Sequence, residues 1–488
     1  MTDIVEEKPK IVDKLFKIEK NDTSVKTEIV GGLTTFMAMS YIIALNPNIL
    51  TAYGAGGQPL WNGVFLATCI SSFIAMMVMG FLANKPFCLA PGMGLNSFVA
   101  IVVGNLVTMT KMSYQDCFQA MLCIILAEGI IFFVLSIFNI RDKIVDAIPL
   151  GVRLGITPGI GLMLLNIGFG SNVYIPDNRV TPPGQFFVMR DFFGSLTANY
   201  ARDTMQGSYG IMVLSVITMF IGIYIIAVLN AKNVKAHVII GMLVSSIFYW
   251  ASDYIFLGNN PFASLKNASF LPAFGDMFDT TLFRFNFAGL AKMGWFTVIT
   301  LIITFCIIDM FDTIGTLVGT ATRAGMVDEK GNMPNMKEAF IADSVGTMVG
   351  ACTGTSTVTT FIESASGVEA GGRTGLTAIT CGLCFLVCIF LAPIAAIIPA
   401  PATSAALIYV GILMMGGLKK VDFDDIAVSV PVTIMLIAMP ISGSIGHGIG
   451  LAMISYTIIK VFSGKFRDVS ILTAIISIIF LVKFFLIY

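Results

Sequence analysis

Apolar residues in this chain fall in long runs, most of them about the length a helix needs to cross the hydrocarbon core of a bilayer. They lie near 28–49, 63–84, 87–107, 115–138, 146–168, 209–231, 236–257, 293–319, 338–353, 356–371, 375–398, 401–418, 424–442 and 446–463, fourteen in all, and a further run at 469–487 is a candidate additional helix. The pattern predicts an all-α polytopic membrane protein. Ahead of the first run, Ile11, Val12, Leu15, Phe16 and Ile18 alternate with lysines. That spacing predicts a short amphipathic helix on the membrane surface, and the segment has no apolar core of a signal peptide.

Composition supports a lipid solvent. Only 12% of residues are charged and 56% are hydrophobic, with a mean hydropathy of +0.88. Soluble domains carry about 25% charged residues, so a soluble chain of this length could not cover its surface. The positive charges then set the orientation. With the amino terminus in the cytoplasm and fourteen alternating crossings, 21 lysines and arginines fall inside and seven outside. Most of the seven lie in two long outer loops, which count little in the positive-inside rule. The nine cysteines are scattered through apolar runs. Cys381, Cys384 and Cys388 share one helix face, but no histidine or acid completes a metal set, so they are expected to be packing residues. No metal or cofactor is expected.

Two runs are interrupted. Pro86, Pro91, Gly92 and Gly94 break the third, and the tenth opens on Gly354-Thr-Ser-Thr-Val-Thr-Thr360, whose β-branched residues favour extended backbone. Non-helical backbone at membrane depth is tolerated only where protein or a water-filled cavity covers it. The interruptions begin about 58 and 63 residues after the starts of the first and eighth runs. Broken spans at matching places in two halves point to an inverted-repeat transporter with its site at the breaks. Other echoes agree. Ala147-Ile148-Pro149 opens run five and Ile397-Ile398-Pro399 precedes run twelve, while His237 and His447 precede similar glycine-containing stretches. The repeat boundary falls near residue 290.

Acids inside spans are costly and usually functional. Asp309 and Asp312 lie three apart on one helix face of run eight, and Glu363 lies where extended chain meets a half-helix in run ten. Half-helices starting near Pro91 and Glu363 would aim unpaired N–H groups at the midplane. Gly92 and Gly94 let backbone approach a ligand, and Asn96 adds a donor and an acceptor. The result is a flat polar slot, matched to a purine base but not to purines alone. Burial disfavours charge on a carboxyl, whereas a helix N-terminus and a donor-bearing substrate favour it. Such opposition suits proton coupling, for which Glu363, Asp312 and Asp309 are the candidates. Asp309 fits a purely helix-bonding role equally well, and Glu128 and Asp343 are expected to make structural polar contacts.

At these residues the chain resembles the purine permease branch of the nucleobase–cation symporter family, the adenine/guanine/hypoxanthine permeases. The resemblance runs from TEIVGGLTTFMAMSY at 27–41, ending in Asn46-Pro47, through LAPGMGLN at 89–96 and FDTIGTL at 311–317 to GTSTVTTFIESASGVEAGGRTGLTA at 354–378. It implies fourteen transmembrane segments in a seven-plus-seven inverted repeat, two of them a short strand plus half-helix. Runs one to four and eight to eleven would form a core and the others a gate. By residue, the division is 1–27 amino-terminal segment, 28–144 core, 145–258 gate, 259–292 extracellular loop, 293–398 core and 399–488 gate. The resemblance implies secondary active import of purine nucleobases with protons by an elevator-like movement, guanine and hypoxanthine ahead of adenine. The chain would then be a transporter in the cell membrane and no enzyme, with the base, the proton and the bilayer as partners, a homodimer as candidate assembly, and no nucleic acid. Substrate-binding residues would be Asp312, Glu363, Asn96, Gly94, Ser364 and Thr316. Uracil and xanthine relatives often carry histidine where Thr316 stands, which favours the purine branch. Two alternatives remain open at this point. One is an anion transporter of the same architecture, drawn by half-helix N-termini; the other is an intramembrane aspartyl enzyme, although Asp309 and Asp312 share one helix.

Overall fold

The structure, a computed structural model, describes residues 11–138, 149–169, 209–267, 269–323, 326, 333–442 and 445–486. The Ala147-Ile148 part of the first echo and the charges Lys8, Lys10, Arg141, Lys143, Arg179, Arg190, Arg202 and Lys330 lie outside these residues. The chain is helical almost throughout. In order come α1 (Ile11–Phe16), α2 (Val25–Met39), α3 (Ile42–Leu50), α4 (Gly57–Val78), β1 (Leu89–Pro91), α5 (Met93–Thr110), α6 (Tyr114–Ile137), α7 (Leu150–Phe169), α8 (Tyr209–Ala231) and α9 (His237–Ser252). There follow α10 (Phe274–Thr280), α11 (Phe287–Lys292), α12 (Trp295–Arg323), α13 (Met336–Thr353), β2 (Val358–Thr360), α14 (Ser364–Glu369), α15 (Gly375–Val387), α16 (Ala392–Ala396), α17 (Ala400–Met415), α18 (Ile426–Ser442), α19 (Ile445–Phe462) and α20 (Ile471–Leu486).

Among the described residues, ten helices are long and apolar enough to cross a membrane, and three shorter apolar stretches lie at Trp295–Met310, Ile426–Ser442 and Ile471–Val482. Phe81, Met109, Ile247, Val387 and Ile437 stand exposed on the outer surface. So broad an apolar exterior is unsuited to water and suited to acyl chains. The run at 469–487 forms α20, which packs on α19.

Helices sort into two bundles by packing. In one, α13 lies on α4 and α6, and α15 lies on α2 and α4. In the other, α7 packs on α17 and α18, and α8 on α9 and α17. Close passages need small residues: an added Cβ at Gly375 would strike the carbonyl oxygen of Gly80, so α15 touches the turn that follows α4 backbone to backbone. The first run is not one helix, contrary to its uninterrupted hydropathy. It divides at Ser40–Tyr41, and Pro47, six residues past Tyr41, removes a backbone donor from α3. The amino-terminal segment contains the expected short helix, α1, whose end packs on α15. Phe16 and Ile18 are buried with Ile379 of α15 rather than facing only lipid, and the Asn84 amide donates to the Phe16 carbonyl at 2.9 Å.

The strands are what the interrupted runs become. β1 and β2 pair antiparallel, Leu89 opposite Thr360, Ala90 opposite Thr359 and Pro91 opposite Val358. Gly92 N–H donates to the Thr357 carbonyl at 3.0 Å and Phe361 N–H to the Cys88 carbonyl at 2.9 Å, extending the ribbon at both ends. Three-residue strands are marginal on their own. Here every strand residue is buried, so backbone pairing inside protein satisfies groups that lipid could not.

Candidate functional site

The site is built where three breaks meet: the α2/α3 junction, the β1–α5 junction and the β2–α14 junction. Side chains behind the ribbon fix it to the helices. Asp343 of α13 accepts from Thr360 N–H at 3.0 Å and, through its other oxygen, from the Thr313 hydroxyl of α12 at 2.8 Å. Thr357 donates to Glu128 of α6 at 2.9 Å. Asn46 of α3 donates to Thr355 at 2.8 Å and to Thr68 at 2.7 Å. All of these acceptors and amides are fully buried, where an unmade hydrogen bond costs about 1–3 kcal/mol. The polar shell therefore gives the ribbon one position.

In front of the ribbon stand two half-buried carboxyls. Asp312 projects from α12 beside Thr359 of β2, which hydrogen-bonds it. A Cβ added to Gly92 would lie 3.7 Å from Asp312 Oδ2, so the bare first turn of α5 borders the carboxylate. Glu363 immediately precedes α14, with its backbone already helical at φ −62°, ψ −16°. Its Oε1 accepts from the Tyr41 hydroxyl at 2.9 Å. Asp312 is close enough for its charge to act on Glu363. Acceptors on two carboxylates, beside N–H groups of the first turn of α5, make a polar recess at the meeting of helix ends.

The other expected site residues are placed differently. Asn96 is fully buried; its amide donates to the Pro91 carbonyl at 3.2 Å and its oxygen accepts from Ser356, so it ties the two breaks together. Ser364 is also buried, and its hydroxyl accepts from Cys88 N–H at 2.9 Å. Thr316 donates back to the Asp312 carbonyl at 2.8 Å. Gly94 faces the other bundle, since its Cβ would lie 2.7 Å from Ile160 of α7. Asp309 is fully buried one turn before Thr313, whose hydroxyl reaches it at 3.3 Å. Glu128 and Asp343 make structural contacts, as expected. His237 hydrogen-bonds the Val234 carbonyl at 2.9 Å and packs edge-on against Tyr409.

Two contributors escape sequence reasoning. Tyr41 is one aromatic residue in an apolar run, and Thr359 is one of five threonines between 353 and 360. Alternation along β2 decides which threonine meets Asp312 and which meets Asp343, and no signal in the chain marks either.

Comparison with known proteins now adds an independent line. A family model described as "Permease family" matches residues 26–449. The adenine permease AdeP of Escherichia coli is 36% identical over 475 residues, covering 97% of this chain and 96% of that protein. The guanine/hypoxanthine permease PbuO of Bacillus subtilis is 33% identical over 481 residues, covering 97% and 100%. Among solved structures, the transmembrane domain of a cyanobacterial bicarbonate transporter, BicA, superposes with a TM-score of 0.60 at 14% identity, covering 88% of this chain and 97% of that one. Murine Slc26a9, an anion transporter, gives 0.55 at 11%, covering 95% and 74%. At such identity these two share the fold alone. The chain belongs to this permease family and is a multi-pass membrane transporter, not an enzyme.

Proposed function

We propose that this permease imports purine nucleobases together with protons, Asp312 and Glu363 receiving the base at the crossing of β1 and β2. The observation that carries the proposal is the pair of half-buried carboxyls in front of a fully buried ribbon. Guanine and hypoxanthine present a ring N–H beside a carbonyl, which suits a carboxylate acceptor next to backbone N–H donors. Adenine has no such ring donor at that edge and is placed behind them. The relatives named as adenine and guanine/hypoxanthine permeases support the substrate class. Gly94 borders the slot through its backbone, Thr316 flanks Asp312 one turn on, and Asn96 and Ser364 act by holding the two breaks.

The coupling proton is assigned to one of Asp312, Glu363 and Asp309, since substrate donors and a proton compete for the same carboxylate oxygens. The two bundles are a core, carrying the ribbon and acids, and a gate. Fourteen segments form a seven-plus-seven inverted repeat, with α20 additional and the amino terminus in the cytoplasm. Elevator-like sliding of core on gate, in the cell membrane, exposes the site alternately. The close approach of Gly94 to Ile160 supports a surface shaped for sliding; a homodimer is the candidate assembly.

Glu363→Gln is expected to abolish concentrative hypoxanthine uptake at normal membrane abundance. Accumulation at the original level would overturn the role. Competition by guanine, hypoxanthine and adenine, with and without a protonophore, ranks the substrates and tests the coupling. A second reading, anion transport, is favoured by the fold shared with bicarbonate and anion transporters. Two carboxylates at the site oppose it by repulsion, and bicarbonate flux without base uptake would establish it.

A further inference from the structure

We infer, on the reading that Glu363 receives the base, that Tyr41 is a positioning residue which fixes the Glu363 carboxylate for substrate. Tyr41 occupies the break between α2 and α3, where the chain turns and the side chain points into the core. The residue is completely buried, at 0% exposure. Its hydroxyl donates to Glu363 Oε1 at 2.9 Å, across 322 residues of sequence. A phenol placed fully out of water needs a partner, because leaving it unbonded forfeits its hydration; the partner here is one of the two front carboxyls.

The consequence follows from carboxylate geometry. A glutamate side chain has three rotatable bonds, and α14 after it is only six residues long. A helix that short constrains Glu363 weakly, and the residue accepts no side-chain capping role. Tyr41 adds a constraint from a different element, beside the bond the carboxylate takes from its own backbone N–H. With Oε1 held, rotation of the carboxylate is restricted, so the base meets an oriented acceptor rather than a rotating one. The groups facing Glu363 are Asp312 from α12, Tyr41 from the α2/α3 break and Tyr409 of α17. Of these, Tyr41 donates to Glu363 at 2.9 Å from within the core bundle, and it travels with Glu363 through the transport cycle.

The test is Tyr41→Phe, which removes one oxygen atom and keeps the ring that fills the core. Uptake of radiolabelled hypoxanthine is measured over a range of concentrations, with membrane abundance quantified in parallel. A hydrogen bond to an ionised group is worth about ten- to hundredfold in an equilibrium, so the half-saturating concentration should rise by at least tenfold while the maximal rate stays within about twofold. A purely structural role would lower abundance and leave the affinity of the surviving protein unchanged. As a second measurement, infrared difference spectra on adding hypoxanthine should show the Glu363 carboxyl band displaced in the variant. Unchanged affinity and an unchanged band would overturn the inference, even where Glu363→Gln is inactive. A Glu363→Gln protein that transports normally overturns instead the reading of the site on which it stands.

Discussion

Replacing Gly92 by alanine separates the substrate slot from the scaffold around it. Gly92 has ordinary extended backbone, φ −71° and ψ 127°, so alanine meets no conformational strain there. The new methyl would stand 2.9 Å from Thr359 Oγ1, 3.3 Å from its Cγ2 and 3.7 Å from Asp312 Oδ2. The first contact is about half an ångström inside ordinary van der Waals distance, an overpacking that costs roughly 1–2 kcal/mol in a tight core. Thr359 must shift or turn to relieve it, which disturbs its contact with Asp312. The methyl also occupies space beside the carboxylate that, on the proposed reading, the base enters. Both effects act on binding, and together they should weaken affinity by more than tenfold, or about 1.4 kcal/mol. Gly94→Ala is the comparison, because its methyl points at Ile160 of α7, 2.7 Å away. That variant should slow the maximal rate more than it weakens affinity, since it obstructs one bundle against the other. The assay is initial-rate uptake of labelled hypoxanthine against concentration, normalised to protein in the membrane. Wild-type affinity in Gly92→Ala would refute the placement of the slot between Gly92 and Asp312.

Three further outcomes are expected. Glu28→Ala removes an acceptor that takes Arg373 N–H at 2.8 Å, Thr374 N–H at 3.2 Å and the Thr377 hydroxyl at 2.6 Å; it should destabilise the α14–α15 junction by about 2–4 kcal/mol, read as faster hydrogen exchange at 373–377. Asp343→Asn loses one acceptor among the bonds to Thr360 and Thr313, and should lower thermal stability in detergent by an equivalent of about 1–3 kcal/mol together with uptake. Gly375→Ala should fail to reach the membrane because its methyl meets the Gly80 backbone, while Gly104→Ala, with open space around it, should be neutral; equal abundance of the two would contradict the packing of α4 on α15.

What the chain determined by itself is the part set by composition and period. Long apolar runs with few charges leave a bilayer as solvent, and helices as the way to satisfy backbone within it. Pro91, Gly92 and the threonine run at 355–360 marked where helix must give way, because ring closure, missing Cβ and β-branching are local properties. Acids in apolar surroundings marked Asp312 and Glu363. Tertiary structure decided everything that depends on which breaks meet. Asn96 and Glu363 are both polar residues next to an interruption, yet one is sealed between Pro91 and Ser356 and the other is half-open. Gly92 and Gly94 differ by two positions, and the turn of α5 alone aims one at Asp312 and the other at Ile160. Tyr41 lies 322 residues from its acceptor, a distance at which hydropathy carries no information. Local chemistry fixes what a segment can do, whereas a site requires the directions of side chains from segments far apart, and only packing supplies those.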